Sequence, residues 1–387
     1  MLATTPTRFA LLLALLLTAC AGKKVESPAT ESDILRRGWA FVEDESELLK
    51  QETGGPDVNF TTAAIVGNRL IYGSARFGLM SMNKETGRVL WRKSVPGGIY
   101  ANVLPFENRL FVGGEDGFFR AFGLDTGEEL WKQDLKFPVV GTPSAAAGKI
   151  IVGTIDHAVH ALDPGTGKLL WTFRRGATAA TTIKGGGNSA YIGGKIWVGF
   201  ADGTLVALDP NDGAINLEKQ FLDNPKFTDV DAAPVPWKRG VLVVTYDGRL
   251  RYLRTDGSLQ WSFNAGGAHS PLPSNLGGGT VFLGSSDGFV YSIGDTAAKE
   301  NWRFPLKSGV PTGMAIFSEK DKHTLVVASS DNFLYALDAA TGKLLGRASL
   351  GSSSGSYGEL VAEQGKLDKR FYLISHYGRV YQFHVKR

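Results

Sequence analysis

The sequence predicts an all-β chain folded as a single eight-bladed β-propeller of four-stranded antiparallel blades, its ring closed by an N-terminal strand. Three observations carry that prediction. First, the segment "DPGTGKLLW", Asp163 to Trp171, returns as "KETGRVLW" ending at Trp91, "DTGEELW" ending at Trp131 and "DAATGKLLG" ending at Gly346. Aligned on its last residue, the series runs Trp91, Trp131, Trp171, Leu217, Trp261, Trp302 and Gly346, at intervals of 40, 40, 46, 44, 41 and 44 residues, a period that suits four short strands per repeat. Second, a hairpin series lies upstream of each copy. Third, 49 Gly, 22 Phe, 11 Tyr and 8 Trp fit short aromatic-rich strands joined by tight turns, and long helical patterns are absent.

Taken in chain order, the first element is a secretory signal over residues 1–19: Arg8, an apolar run from Phe9 to Leu17 too short to span a bilayer, then small residues ahead of Cys20. Residues 20–38 are polar, include Pro28 and lack an apolar period, so they are expected to form a flexible tether, with the propeller over residues 39–387. The inner hairpins follow as "RFGLMSMN" from Arg76, "EDGFFRAFG" from Glu115, "IDHAVHALD" from Ile155, "ADGTLVALD" from Ala201, "YDGRLRYLR" from Tyr246, "SDGFVYSIG" from Ser286, "SDNFLYALD" from Ser330 and "HYGRVYQFH" from His376. Asp-Gly between apolar runs is a strong hairpin signal and predicts type I′ turns with positive φ at both central residues. Eight inner hairpins against seven downstream outer strands leave one blade short of a strand. The segment "RGWAFVED", Arg37 to Asp44, with its own Trp39, is the natural donor, and borrowing it removes two sheet edges. The regularly spaced Trp91, Trp131, Trp171, Trp261 and Trp302 are expected as wedges between blades, and the replacements Leu217 and Gly346 suit architecture better than catalysis.

Several functions lose support. A net charge of +4 without a dominant basic block sets nucleic acid aside. Cys20 is the sole cysteine, which excludes an internal disulfide and a cysteine metal cluster. His157 and His160 sit on a turn and a strand facing different ways; His269, His323, His376 and His384 are scattered. No Gly-x-Ser-x-Gly elbow occurs, and "GGGNS", Gly185 to Ser189, lacks the Lys-Ser/Thr of a phosphate loop. No reaction, cofactor or metal is assigned.

The stretch Leu17-Thr18-Ala19-Cys20 resembles the bacterial lipobox, which implies that Cys20 becomes the lipid-bearing first residue; Ala21 after it implies the outer membrane, facing the periplasm. The blades resemble the pyrroloquinoline-quinone type repeat of quinoprotein alcohol and glucose dehydrogenases and their non-catalytic relatives. Lipobox, tether, length and eight blades together resemble the family of the outer-membrane assembly factor BamB over residues 39–387. That resemblance implies a non-catalytic scaffold docking onto the periplasmic domains of BamA, and so onto other lipoproteins of the assembly machinery indirectly. Its docking residues fall in two loops. One has the pattern Leu-x-Leu-Arg-Gly, here Thr172-Phe173-Arg174-Arg175-Gly176, in which Arg175 and Gly176 match, Thr172 and Arg174 replace the leucines and Phe173 offers another apolar contact. The other has Asp-Val-Asp, here Asp229-Val230-Asp231. Both follow an outer strand, so they should emerge on one face from successive blades, where loop length and binding concentrate. A plainer reading leaves Asp229 and Asp231 as turn caps and Arg174 and Arg175 as solvated charges. Two rival functions remain: a periplasmic quinoprotein oxidoreductase, whose calcium would need more than the turn aspartates Asp116, Asp156, Asp202, Asp247, Asp287 and Asp331, and a propeller binding another envelope protein or a polysaccharide.

Overall fold

A computed structural model describes residues 34–42, 61–176, 187–221, 229–230, 232–246, 248–267, 269–351, 355–356, 358–363 and 369–386. The signal peptide, Cys20, Asp44, Asp231 and Asp247 therefore lie outside the described residues. Among these residues the strands form eight four-stranded antiparallel sheets, and seven of the sheets take four strands consecutive in sequence. Blade 3 is representative: Ser144–Ala146, Lys149–Thr154, Ala158–Leu162 and Leu169–Arg174. Its two middle strands are buried apart from half-buried Lys149, while from Leu170 the outer strand alternates between exposed and half-buried residues, as an edge strand with one face on the next blade must. The core is divided accordingly into eight apolar clusters, each shared by two adjacent blades.

The eighth blade joins Val361–Ala362, Arg370–Ile374 and Val380–Val385 to Leu35–Phe41, paired antiparallel from Leu35 opposite Val385 to Phe41 opposite Val380. The donated strand begins at Leu35, ahead of the boundary expected at residue 39, because Leu35 is fully buried between blades 7 and 8. Trp39 reaches the other side of the same blade and packs into the cluster shared with blade 1. The N-terminal strand therefore holds both interfaces of the closing blade.

The repeated segment is explained by one contact. Indole Nε1 of Trp131 donates to the carbonyl oxygen of Pro164 at 3.1 Å, in the "DPGTG" turn of the next blade, and Trp171 does the same to Pro210 at 3.2 Å. Gly167, at φ +73°, lies against the Trp131 ring so closely that a Cβ would stand 2.5 Å from Cε3. Trp39 with Gly87, Trp91 with Gly127, Trp171 with Gly213 and Trp302 with Gly342 repeat the geometry, and Leu217 with Gly257 substitutes an aliphatic wedge. Aspartate completes the turn: Asp163 Oδ1 accepts from the Thr166 backbone N–H and hydroxyl, both at 2.8 Å.

The Asp-Gly hairpins differ from the type I′ turns expected. Gly117 N–H donates to Gly114 O and Gly114 N–H to Phe118 O, with positive φ at Gly117 and not at Asp116. This is a type I turn followed by a left-handed residue, because three residues separate the paired positions instead of two. His157, at φ +60°, and Asn332, at +69°, take the glycine position in their blades. Two successive positive-φ residues occur in the hairpins between first and second strands, at Glu107-Asn108, Ala147-Gly148 and Gly193-Gly194.

Candidate functional site

In an up-and-down blade the loops that lead to the next blade share a face with the Asp-Gly turns. The two loops singled out by sequence lie there and meet at one residue, Phe200, which opens the turn of blade 4. Phe173, the penultimate residue of its strand, points inward and packs on Phe200 with ring centroids 6.1 Å apart, and Val230 N–H donates to Phe200 O at 3.1 Å. Arg175 lies over the same ring at 5.5 Å from its centroid. Its guanidinium is divided between blade 4 carboxylates, Nη2 to Asp202 Oδ2 at 2.9 Å and Nη1 to Glu218 Oε1 at 2.6 Å. Burial alone would favour the neutral form, but these two partners hold the guanidinium even more firmly protonated than usual. Arg175 is thus a clamp between blades 3 and 4, and Phe173, partly buried, packs against the apolar cluster those blades share.

Strand alternation turns Thr172 and Arg174 outward. Arg174 is half exposed, pairs with Asp156 and stacks over Phe137 at 5.8 Å. Gly176 is exposed with open space around it. Asp229 is half-buried; its carbonyl accepts from Tyr246 N–H at 3.0 Å, and among the described residues no cation pairs with its carboxylate. Desolvation pushes that carboxyl above the usual carboxylate range, with only its own backbone N–H opposing. The structure therefore gathers Phe173, Arg175 and the Asp229-Val230 segment around Phe200 and sets Arg174 beside Phe137. Phe137, 41% exposed, was not singled out by sequence reasoning, although "LKFPVV" in an interblade loop was the available signal.

Five of the six turn aspartates lie among the described residues, and each has a side-chain partner. Asp287 accepts from Tyr291 OH at 2.7 Å and Asp331 from Tyr335 OH at 2.9 Å, and burial followed by these bonds pushes both phenols up to about 12. Arg120 reaches Asp116 Oδ1 at 2.9 Å and holds its carboxyl below the usual range, although burial opposes this. Asp156 accepts from Thr154 Oγ1 at 2.6 Å, and Asp202 is taken by Arg175. His160 is buried between Thr154 and Thr172, with ring nitrogens 3.1 and 3.0 Å from their hydroxyls, and burial lowers it to about 4. A quinone with calcium does not fit these residues. No three His, Cys, Asp or Glu converge among the described residues. A cavity of about 70 Å³ beside His269 and Glu359 falls well short of the ~300–1,000 Å³ usual for cofactor sites.

Fold and site together define an eight-bladed propeller with an interblade clamp, Arg175, on its loop face. The chain belongs to the outer membrane protein assembly factor BamB family, whose model matches residues 36–123, 78–253 and 247–387. The assembly factor BamB of Marinobacter adhaerens is 30% identical over 125 residues, which is 32% of this chain and only 30% of that relative's length. The crystal structure of BamB from Moraxella catarrhalis superposes with a TM-score of 0.72 at 18% identity, covering 91% of this chain and all of that one. Quinohemoprotein alcohol dehydrogenase from Comamonas testosteroni gives 0.70 at 14% identity over 90% of this chain and 76% of its own. At such identities the structural likeness speaks for the fold.

Proposed function

We propose that the protein is a non-catalytic scaffold, anchored by lipid on Cys20 to the periplasmic face of the outer membrane, which docks onto the periplasmic domains of BamA and assists barrel insertion. The observation that carries this reading is the family match running through all eight blades. The site supports it in a modified form: Arg175 shapes the face by clamping two blades, while Asp229 offers a half-buried carboxylate with which no cation pairs among the described residues, open to one from a partner. Against the enzyme alternative weighs the lack of any group of three His, Cys, Asp or Glu converging among the described residues. The test is capture of BamA by purified variants. Asp229→Lys should weaken binding at least tenfold, about 1.4 kcal/mol at a hot-spot position. Lys320→Glu should leave binding unchanged, because Lys320 lies between the strands Pro311–Glu319 and Lys322–Ser329, on the opposite face. Sensitivity at Lys320 with none at Asp229 would put the partner on the other side.

A further inference from the structure

We propose that one side of the ring, the outer edges of blades 7, 8 and 1, is a membrane-contact wall whose cations lie against anionic phospholipid headgroups. The three edges are the strands Leu344–Ser349, Leu35–Phe41 and Val89–Lys93. Arg37 Nη2 donates to Ser349 O at 3.1 Å and Trp39 Nε1 to Lys84 O at 3.1 Å, so the middle edge is tied to both neighbouring blades. Together the edges carry Arg347, Arg36, Arg37, Arg92 and Lys93 and no carboxylate, whereas the other five outer strands hold five cations and four carboxylates between them. Charge that served only to keep sheet edges from pairing would be spread over all eight. The turns leading into the wall add exposed Arg88 and Lys343; their acids are Glu85, paired with Arg370, and Asp338, whose Oδ1 accepts from the Thr341 N–H at 3.0 Å.

Aromatic faces order the guanidinium groups. Arg347 stands 5.0 Å from the Phe333 ring centroid, Arg92 5.9 Å from that of Phe77 and Arg37 5.7 Å from that of Tyr381. A ring face holds such a group without cancelling its charge, which leaves it available to a phosphate. Arg36, Arg92 and Arg347 are exposed, and Leu90 and Leu344, 37% and 42% exposed, stand among them as apolar contacts for the headgroup layer. A membrane is favoured over an acidic protein by where the wall lies. Its middle strand begins at Leu35, fifteen residues after Cys20, a span of at most about 50 Å. Basic side chains held near an anionic surface are drawn onto it within a screening length. Blade 8 stands opposite blade 4 in a ring of eight, so this contact turns the Phe200 cluster away from the bilayer.

The inference rests on the proposed lipid at Cys20 only for keeping the protein at a bilayer. The full chain in its membrane form would be placed on vesicles of phosphatidylcholine alone, or of phosphatidylcholine with phosphatidylglycerol, with Leu90→Cys or Leu259→Cys bearing a nitrobenzoxadiazole label. Leu259 is the matching control, 49% exposed on the outer strand of blade 5. Emission from the Leu90 site should rise about twofold or more on the anionic vesicles only, and fall back when salt goes from about 0.1 M to about 1 M. Emission from the Leu259 site should stay the same on both. Arg36→Glu, Lys343→Glu and Arg347→Glu together should abolish the rise, whereas Lys168→Glu, Arg239→Glu and Arg254→Glu together, exposed changes of equal net charge on blades 3 and 5, should not. A Leu90 site that stays dark on both vesicle types overturns the proposal on the otherwise unaltered chain; a wall built for an acidic protein, or covered by the acidic run Glu43 to Glu47, would give that result. So does a response at the Leu259 site equal to that at Leu90. Failure of the anchor reading looks different: the chain without added cysteines would take the label at Cys20 and part from phosphatidylcholine vesicles on flotation.

Discussion

Gly167 is the position where the repeat can be tested most directly, because backbone and packing demands coincide there. Alanine at φ +73° incurs the left-handed penalty of about 1 kcal/mol. Its Cβ would also stand 2.5 Å from Trp131 Cε3 and 2.7 Å from Cδ2, so the indole must move. The ring has little freedom: Nε1 is bonded to Pro164 O, and Phe111 and Phe119 lie 5.8 and 6.1 Å away. Overpacking of this kind costs about 1–3 kcal/mol, so Gly167→Ala should lose roughly 2–4 kcal/mol in all. Gly148 provides the control. Its φ is +74°, yet a methyl group there would meet nothing within 4 Å, so Gly148→Ala should lose only the backbone share, about 1 kcal/mol. Urea unfolding followed by far-ultraviolet circular dichroism measures both. In a double-mutant cycle, Trp131→Ala should relieve the packing share of Gly167→Ala, giving a coupling of about 1 kcal/mol or more. Equal losses at Gly148 and Gly167, with no coupling to Trp131, would refute the ring-on-glycine contact as the reason for the repeat.

Ring closure makes a second prediction: truncation through Asp44 removes Leu35 and Trp39 from two interfaces and should lower stability by about 3 kcal/mol or more, whereas truncation through Ser32 should change little. Equal melting temperatures would mean that the ring closes by other means. Acidification makes a third. Burial holds His160 near 4 against an ordinary value of 6.5, so between these pH values the unfolded chain binds the proton and the fold does not. Stability is therefore full above pH 6.5 and falls as pH drops toward 4, by about 3 kcal/mol at most for this group. His160→Gln should flatten that part of the urea-stability profile, and an unchanged slope would remove His160 as its source.

The blades, their number and the donated strand were legible in the sequence because each is written in a local signal repeated at one period: a turn aspartate, a glycine, an aromatic wedge. Residues that meet across a blade boundary were not. Arg175 finds Asp202 and Glu218 27 and 43 residues away, and Phe200 carries no motif of its own, so nothing in the spacing shows that the arginine is already engaged. Turn type was hidden for a similar reason, since "DG" is compatible with two- and three-residue loops and only the pairing of Gly114 with Phe118 decides.

The two kinds of contact share a direction, with consequences for any mutational study of this face. Trp131 and Trp171 reach forward into the next blade, and so does Arg175, which makes it part of the stitching that holds blades 3 and 4 together. Breaking one partner of such a clamp leaves Asp202 and Glu218 facing each other without their cation, and the loop carrying Gly176 loses its anchor. A binding defect at Arg175 would therefore report the shape of the surface as much as its chemistry. Among the described residues no cation pairs with the Asp229 carboxylate, so a charge change at that position separates recognition from cohesion.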